Sequence, residues 1–247
     1  MSKKMTKRQR NSVRVPTHNE YMAQTKMTLQ PINPLTEAQA KMRDIYYDEN
    51  INCLAAIGSA GTGKSYMALA LALEDVLTEK NYDKVVLIRS AVQTRDQGFL
   101  PGDLNEKMSY YEVPYSDIVS DLLGKRDAYK QLKERGKIEF MSSSFVRGLT
   151  FDNAIIILDE AQSCNSHELK SVITRVGDNS RLIICGDTKQ DDLKYTKNRV
   201  DISGLIEIMN ILGRVPSFDV VRFTTDDIVR SGFVKEFLIA EEELEAA

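Results

Sequence analysis

The segment IGSAGTGKSYMALALAL, residues 57–73, places a glycine-rich stretch between an apolar run and a helical pattern. Four of its residues have the spacing G-x-x-x-x-G-K-[ST], which in this context indicates a phosphate-binding loop. Glycines allow successive N–H groups to converge on anionic oxygens, and the following helix N-terminus adds its dipole. An ordinary glycine-rich turn is the alternative, but the flanking patterns favour nucleotide binding. The residues predicted to contact the nucleotide here are Gly58, Ser59, Ala60, Gly61, Thr62, Gly63, Lys64, Ser65 and Tyr66.

The side chains needed for phosphate chemistry lie in this loop and at a later strand end. Lys64 would neutralise the β- and γ-phosphates, and the Ser65 hydroxyl would join the shell of a Mg²⁺ ion. The apolar run AIIIL ends in Asp159 and Glu160, and ligands gather at the carboxyl ends of parallel strands. We expect Asp159 to hold Mg²⁺ through water and Glu160 to orient and deprotonate the attacking water. A solvated or helix-capping acidic pair is the alternative.

Two glutamines complete the predicted site. Gln190 follows the run RLIIC in the sequence GDTKQ, where it would sense the γ-phosphate or the attacking water with support from Asp187. Gln39 precedes the glycine loop, and its amide would pair with the donor and acceptor edge of adenine. A simple turn at GDTKQ and a surface position for Gln39 are the alternatives.

Short apolar runs alternate with amphipathic helical patterns from Pro31 onward. The predicted strands are INCLAAI, KVVLI, KIEFM, AIIIL, RLIIC and FDVVRF. This alternation predicts an α/β fold with a mainly parallel, doubly wound sheet. The long interval between KVVLI and KIEFM predicts an inserted helical lobe at residues 100–136. Residues 1–30 are predicted to form a basic flexible arm, and residues 241–247 an acidic exposed end.

Charge and composition argue against several classes of protein. The 33 basic and 36 acidic residues give a net charge of −3, so overall charge does not demand a nucleic-acid partner. No apolar stretch approaches the ~18 residues of a membrane span. The three cysteines, Cys53, Cys164 and Cys185, have no CxxC spacing. We therefore expect a cytoplasmic protein without membrane segments, disulfides or zinc.

Several sequence blocks resemble the PhoH family, in particular its short phage members. They are GSAGTGKS, GFLPGDLNEK, RGLTFDNAIIILDEAQ, LIICGDTKQDDL and DIVRSGFV. The resemblance covers residues 31–240 and implies a RecA-like P-loop ATPase core, akin to the first motor domain of superfamily 1 helicases, that uses ATP and Mg²⁺. Ser59 and Ser163 stand where relatives usually carry proline and asparagine, which puts details rather than ATP use in doubt. The family's magnesium and phosphate roles would fall on Lys64, Ser65, Asp159, Glu160 and Gln190.

The resemblance also implies partners. It suggests ring-shaped homo-oligomers, with a hexamer suspected, action on RNA or single-stranded DNA, and the host cytoplasm if the chain is phage-encoded. The first 14 residues carry six Lys or Arg side chains, which predicts a salt-sensitive contact with RNA or DNA. Disorder without a partner is the alternative. Three lobe residues, Tyr110, Tyr111 and Tyr115, would either stack bases or pack in the core.

Four arginines have predicted electrostatic roles. A single RecA-like core lacks the second motor domain that would bring an arginine to the γ-phosphate, so a neighbouring subunit would supply it in trans. Arg230, predicted just inside the last helix, is the first candidate, and Arg147 is the second. For each, a structural ion pair is the alternative. Arg89 and Arg95 would contact strand phosphates or lie in a solvated loop.

The sequence thus predicts a Mg²⁺-dependent ATPase of helicase-like type. Two alternatives stay open. One is a regulatory binding module that uses ATP as a switch, with incidental hydrolysis. The other is a P-loop kinase, although Glu160 beside Asp159 is arranged to activate water and argues against kinase chemistry.

Overall fold

The computed structural model describes residues 27–90, 104–187 and 204–246, and the fold is described for those residues. The strands are β1 (Cys53–Gly58), β2 (Lys84–Arg89), β3 (Ile138–Ser142), β4 (Ala154–Asp159), β5 (Arg181–Gly186) and β6 (Phe218–Phe223). The helices are α1 (Glu37–Tyr46), α2 (Lys64–Glu74), α3 (Leu104–Leu123), α4 (Ala128–Glu134), α5 (Ser166–Ile173), α6 (Leu205–Leu212) and α7 (Gly232–Ala246).

The six strands form one parallel sheet in the order β3-β2-β4-β5-β1-β6. The predicted α/β fold with a mainly parallel, doubly wound sheet is therefore confirmed. Because every strand runs in the same direction, all the carboxyl ends lie at one edge of the sheet. That edge receives the glycine loop after β1 and the acidic pair after β4.

Helices cover both faces of the sheet because its strands are apolar on both sides. Successive residues of β1 alternate between two clusters of buried side chains, with Leu54 and Ala56 in one and Ala55 and Ile57 in the other. The first cluster includes residues of α1, α2, α3 and α4, and the second includes residues of α5 and α6. Burial on both faces explains why the strand sequences are continuous apolar runs.

The described part of the predicted lobe consists of α3 and α4. Both helices join β2 to β3, and their buried residues belong to the same cluster as α2. The lobe therefore packs on the sheet, beside the helix that follows the glycine loop. Residues 100–103 of the predicted lobe lie outside the described residues.

Two predicted boundaries need correction. Met27 and Leu29 pack against the core, and the Gln30 N–H donates to the Leu122 carbonyl at 2.8 Å, so packed chain begins before residue 31. The rest of the predicted arm, residues 1–26, lies outside the described residues. Arg230 does not lie inside the last helix, which begins at Gly232. The N–H of Val229 donates to the Gly61 carbonyl at 3.1 Å instead, which holds this segment against the glycine loop.

Candidate nucleotide and metal site

The glycine loop has backbone geometry that side chains would prevent. Gly58 has φ +143°, and a Cβ there would lie 1.8 Å from the Phe223 carbonyl oxygen of neighbouring β6. Gly63 caps α2 with φ +82° and ψ +18°, a left-handed conformation that glycine adopts without steric cost. The loop therefore turns tightly from β1 into α2 at the carboxyl edge of the sheet.

Lys64 is anchored within this loop. Its Nζ donates to the Gly58 carbonyl at 2.6 Å and to the Ser59 carbonyl at 2.7 Å. Burial lowers the pKa of the Lys64 ammonium group, although the nearby Asp187, Glu160 and Asp159 carboxylates oppose that shift. The side chain thus presents a partly desolvated donor at the mouth of the loop, where a phosphate would lie.

Asp159 is held by hydroxyl groups from two helices. Ser65 Oγ donates to its Oδ1 at 2.7 Å, and Tyr115 Oη donates to its Oδ2 at 2.8 Å. The first contact joins the two residues predicted to hold the metal, which are 94 positions apart in the chain. The fold therefore brings the loop serine and the β4 carboxylate together, and their binding of Mg²⁺ stays a prediction.

Glu160 has strained backbone geometry and an ordered carboxylate. Its φ of +51° and ψ of +45° lie in the left-handed region, which costs energy for a residue with a Cβ. Gln162 Nε2 donates to Glu160 Oε2 at 2.6 Å, while Gln162 Oε1 accepts the Asp187 N–H at 3.0 Å. Burial raises the pKa of Glu160, and the adjacent Asp159 charge raises it further. Such a carboxylate is a stronger proton acceptor than an exposed one.

A cavity of about 870 Å³ joins these groups, a size typical of ligand sites. Three residues of the glycine loop, Gly58, Ser59 and Thr62, do not line the cavity. The predicted site residues that do line the cavity are Gln39, Ala60, Gly61, Gly63, Lys64, Ser65, Tyr66, Asp159, Glu160, Asp187 and Arg230.

Gln39 lies at one side of this cavity and is almost fully buried. Its Nε2 donates to the Thr62 carbonyl at 3.0 Å, and its Oε1 accepts the Leu35 N–H at 2.8 Å. The side chain therefore ties the segment before α1 to the glycine loop. One amide hydrogen and one lone pair remain for a base, so the predicted adenine contact stays a prediction.

The two arginines predicted for the γ-phosphate lie in different places. Arg230 lines the cavity of its own chain, where its Cγ is 2.8 Å from the position that a Cβ on Gly61 would take. Arg147 is exposed and is not among the residues that line the cavity. The fold thus brings Arg230, but not Arg147, to the glycine loop of the same chain.

Arg89 and the lobe tyrosines meet at the same edge. The Arg89 guanidinium lies 5.6 Å from the centre of the Tyr111 ring, and Arg89 lines the cavity. Tyr110 is exposed. Tyr115 is buried, so of the two alternatives for this residue its ring packs in the core. Gln190 and Arg95, like the rest of 91–103 and 188–203, lie outside the described residues.

The donor set of the site fits magnesium. Ser65 and Asp159 supply hard oxygen atoms, and Mg²⁺ usually takes one or two carboxylates together with phosphate oxygens and water. Within the described ranges, no group of three or more His, Cys, Asp or Glu side chains could hold a metal by itself. Cys53, Cys164 and Cys185 are free thiols. No helix in the described part of the chain is long and apolar enough to cross a membrane.

Sequence reasoning missed two contributors to the site. Gln162 was not singled out, although it follows the acidic pair by two residues. Tyr115 was considered for base stacking or core packing but not for this contact, because no sequence pattern connects a residue in the lobe with Asp159, 44 positions away. Only the packing of α3 on the sheet brings these two side chains together.

Comparison with known proteins gives a consistent picture. The family model described as PhoH-like protein matches residues 31–241. The PhoH-like protein of Bacillus subtilis is 39% identical over 186 residues, which are 74% of this chain and 56% of that protein. Protein PhoH of Escherichia coli K12 is 34% identical over 221 residues, which are 89% of this chain and 60% of that protein. The chain therefore spans no more than about 60% of the length of these relatives.

A solved structure is similar at a lower level. The SWI2/SNF2 ATPase core of Sulfolobus solfataricus in complex with double-stranded DNA has a TM-score of 0.43 and 17% identity. The likeness covers 79% of this chain and 47% of that chain.

Proposed function

Because the chain belongs to the PhoH family, we propose that it is a Mg²⁺-dependent ATP hydrolase with one nucleotide site at the carboxyl edge of its sheet. One observation carries the proposal. Ser65 of the glycine loop and Asp159 of β4 are in contact at 2.7 Å, and Glu160 adjoins them on the same cavity. A loop for phosphate, oxygen ligands for a metal and a base for water are the three parts that nucleotide hydrolysis requires.

The glycine loop would bind the phosphates. Its N–H groups and the N-terminus of α2 would surround anionic oxygens, and the Lys64 ammonium group would move from the Gly58 and Ser59 carbonyls to phosphate oxygens. Ser65 and Asp159 would hold Mg²⁺, which when bound would neutralise charge on the phosphates.

Glu160 would accept the proton of the attacking water. Its carboxylate is fixed by the Gln162 amide, and its raised pKa makes proton transfer more favourable. Gln162 in turn connects Glu160 to the backbone after β5, where the GDTKQ sequence begins. This arrangement supports transfer to water over transfer to a small acceptor.

Arg230 would act on the nucleotide of its own chain. Its side chain packs on Gly61, and the N–H of the preceding Val229 is bonded to the Gly61 carbonyl. An arginine held in this way would lie beside phosphates bound by the loop, which supports a role in cis over the role in trans that the sequence alone suggested. Gln39 would contribute to the adenine side of the same cavity.

We also propose that the protein forms a homo-oligomer and acts on RNA or single-stranded DNA. The family resemblance and the basic N-terminal sequence support binding of a nucleic acid. The exposed apolar residues of α7 would supply a surface for a second subunit. Those α7 residues are Phe233, Phe237 and Leu244. Mass determination in solution with and without ATP tests the oligomer, and an unchanged monomer mass would contradict it.

The activity is tested by steady-state ATP turnover in Mg²⁺, with and without poly(U) or single-stranded DNA, beside the Glu160→Gln variant. We expect the wild type to release inorganic phosphate and the nucleic acid to increase its turnover, and we expect both effects to be lost in the variant. Slow turnover that neither nucleic acid changes would favour the regulatory switch. Phosphate found on an acceptor instead of in solution would favour the kinase.

The cis role of Arg230 is tested by mixing subunits. If Arg230 acts in cis, an Arg230→Ala subunit and a Lys64→Ala subunit are each inactive at the nucleotide site of their own chain. Mixed assemblies should then show no more activity than the two inactive proteins alone. Recovery of partial activity in assemblies shown to contain both subunits would establish the trans role instead.

A further inference from the structure

The Asp159 carboxylate has two hydroxyl donors, and they are not equivalent. Ser65 belongs to the glycine loop, and its hydroxyl is the group expected to turn toward a bound metal. Tyr115 belongs to α3, and its hydroxyl donates to the other carboxylate oxygen at 2.8 Å. When Ser65 binds the metal, the tyrosine is the donor that remains to fix the orientation of Asp159.

Tyr115 is built as a rigid donor. Its side chain is 1% exposed, and its ring packs on Phe140 of β3 with centroids 5.7 Å apart. Burial and the Asp159 charge both raise the pKa of Tyr115, so its hydroxyl keeps its proton. The preceding Pro114 has no N–H, and α3 therefore lacks one helical hydrogen bond directly before this contact.

The same face of α3 touches two neighbouring strand ends. Tyr111 and Tyr115 are four residues apart and so lie one above the other on the helix. Tyr111 lies beside Arg89, the last residue of β2, and Arg89 is the register partner of Asp159 at the end of β4. The lobe helix is thus in direct contact with the part of the sheet that holds the metal ligand.

We propose that Tyr115 is a positioning residue for the metal site, and that through it the location of helix α3 sets the orientation of the Asp159 carboxylate. The proposal rests on the proposed nucleotide function and assigns the lobe a part in it. Without the Tyr115 hydroxyl, Asp159 would lose this donor and its hold on Mg²⁺ would weaken. Helix α3 of the lobe would thus contribute to nucleotide binding in the same chain.

The test compares Tyr115→Phe with the matched control Tyr46→Phe. Tyr46 is also buried and also donates to an aspartate, Asp75, at 2.6 Å, but it lies at the opposite edge of the sheet. Calorimetry would give the affinity for a non-hydrolysable ATP analogue in EDTA and across a Mg²⁺ titration. We expect Tyr115→Phe to leave the affinity in EDTA unchanged and to raise the half-saturating Mg²⁺ concentration about tenfold.

A double-mutant cycle separates positioning from a general structural effect. If Tyr115 acts through Asp159, then adding Tyr115→Phe to Asp159→Asn should change the Mg²⁺ dependence no further. Tyr46→Phe should lower the melting temperature without changing that dependence.

Three results would overturn the proposal. They are a Tyr115→Phe protein whose Mg²⁺ dependence equals that of the wild type, additive effects in the double mutant, and failure of Tyr115→Phe to fold. A Tyr115→Phe protein that failed to fold would show that the hydroxyl is needed for folding and not specifically for positioning Asp159. If the wild-type protein itself bound no nucleotide, the proposed function would fail first, so the two failures are distinguishable.

Discussion

The fold contains two buried tyrosine–aspartate pairs with nearly the same local chemistry. Tyr115 donates to Asp159 at 2.8 Å, and Tyr46 donates to Asp75 at 2.6 Å. All four side chains are at most 5% exposed. One pair lies where β4 ends, at the carboxyl edge of the sheet, and the other lies where α1 and α2 end, at the amino edge.

The two pairs differ in what surrounds them. Asp75 has a second protein donor, because Asn81 Nδ2 donates to its Oδ1 at 2.9 Å, and the Arg181 guanidinium lies 4.9 Å from the centre of the Tyr46 ring. Asp159 instead lines the cavity beside Lys64. The same kind of buried pair is thus a structural contact at the amino edge and a part of the proposed metal site at the carboxyl edge, where the glycine loop and the end of β4 line one cavity.

The largest effect that separates the two edges is expected from Glu160→Gln. Loss of the general base should lower ATP turnover by about 10²–10⁴-fold, while nucleotide affinity changes little because the glutamine keeps the same size. Initial rates and calorimetry measure both quantities. Tyr46→Phe at the amino edge serves as the control and should keep the wild-type turnover. Equal losses in the two variants would mean that the edges do not differ in function.

Isosteric changes of the two aspartates sharpen the comparison. Asp159→Asn should lower turnover roughly 10–100-fold because it weakens the hold on the metal, and it should also cost about 1–3 kcal/mol of stability because Ser65 and Tyr115 donate to different carboxylate oxygens. Asp75→Asn should leave turnover intact and cost about 1–3 kcal/mol of stability, because Tyr46 and Asn81 donate to different carboxylate oxygens and the amide NH2 that replaces one of these oxygens cannot accept a hydrogen bond. Urea unfolding and initial rates test the two expectations. An Asp75→Asn protein that is folded but inactive would contradict them.

A smaller effect is expected from Gln162→Ala. The change removes the amide that joins Glu160 to the Asp187 N–H, so the base loses its fixed orientation and turnover should fall about tenfold. Gln131→Ala is the matched control, since Gln131 Nε2 donates to the Asp127 carboxylate at the same 2.6 Å on the lobe surface. Activity that is equal in both variants would show that the Gln162 contact does not orient the base.

The smallest effect is expected from pH. Because burial raises the pKa of Glu160 above its ordinary value of 4.5, turnover should fall on acidification at a higher pH than an exposed glutamate would produce. The contribution of Glu160 to the free energy of unfolding should instead become more favourable as the pH falls, since the folded state binds this proton more tightly than the unfolded state does. In EDTA, the melting temperature of the wild type should therefore approach that of Glu160→Gln as the pH falls from neutral. A constant difference between the two proteins would argue against the shift.

Much of the fold followed from local patterns. The apolar runs gave all six strands, because a parallel sheet buried on both faces needs continuous apolar segments, and β4 and β5 read that way without ambiguity. The start of α7 could not be placed in the same way. The segment before it is held by a long-range contact, since the Val229 N–H donates to the carbonyl of Gly61, more than 160 residues earlier in the chain.

The sequence alone determined that a glycine-rich loop would precede α2 and that carboxylates would lie at the end of β4. Those features depend on residues close together in the chain, namely glycines that free the backbone and a strand that ends in acids. Only the tertiary structure decided that Tyr115 donates to Asp159, that Gln162 accepts the Asp187 N–H and that Arg230 lies against the glycine loop of its own chain. Such contacts join elements that are distant in sequence, and their geometry arises from how helices pack on the sheet.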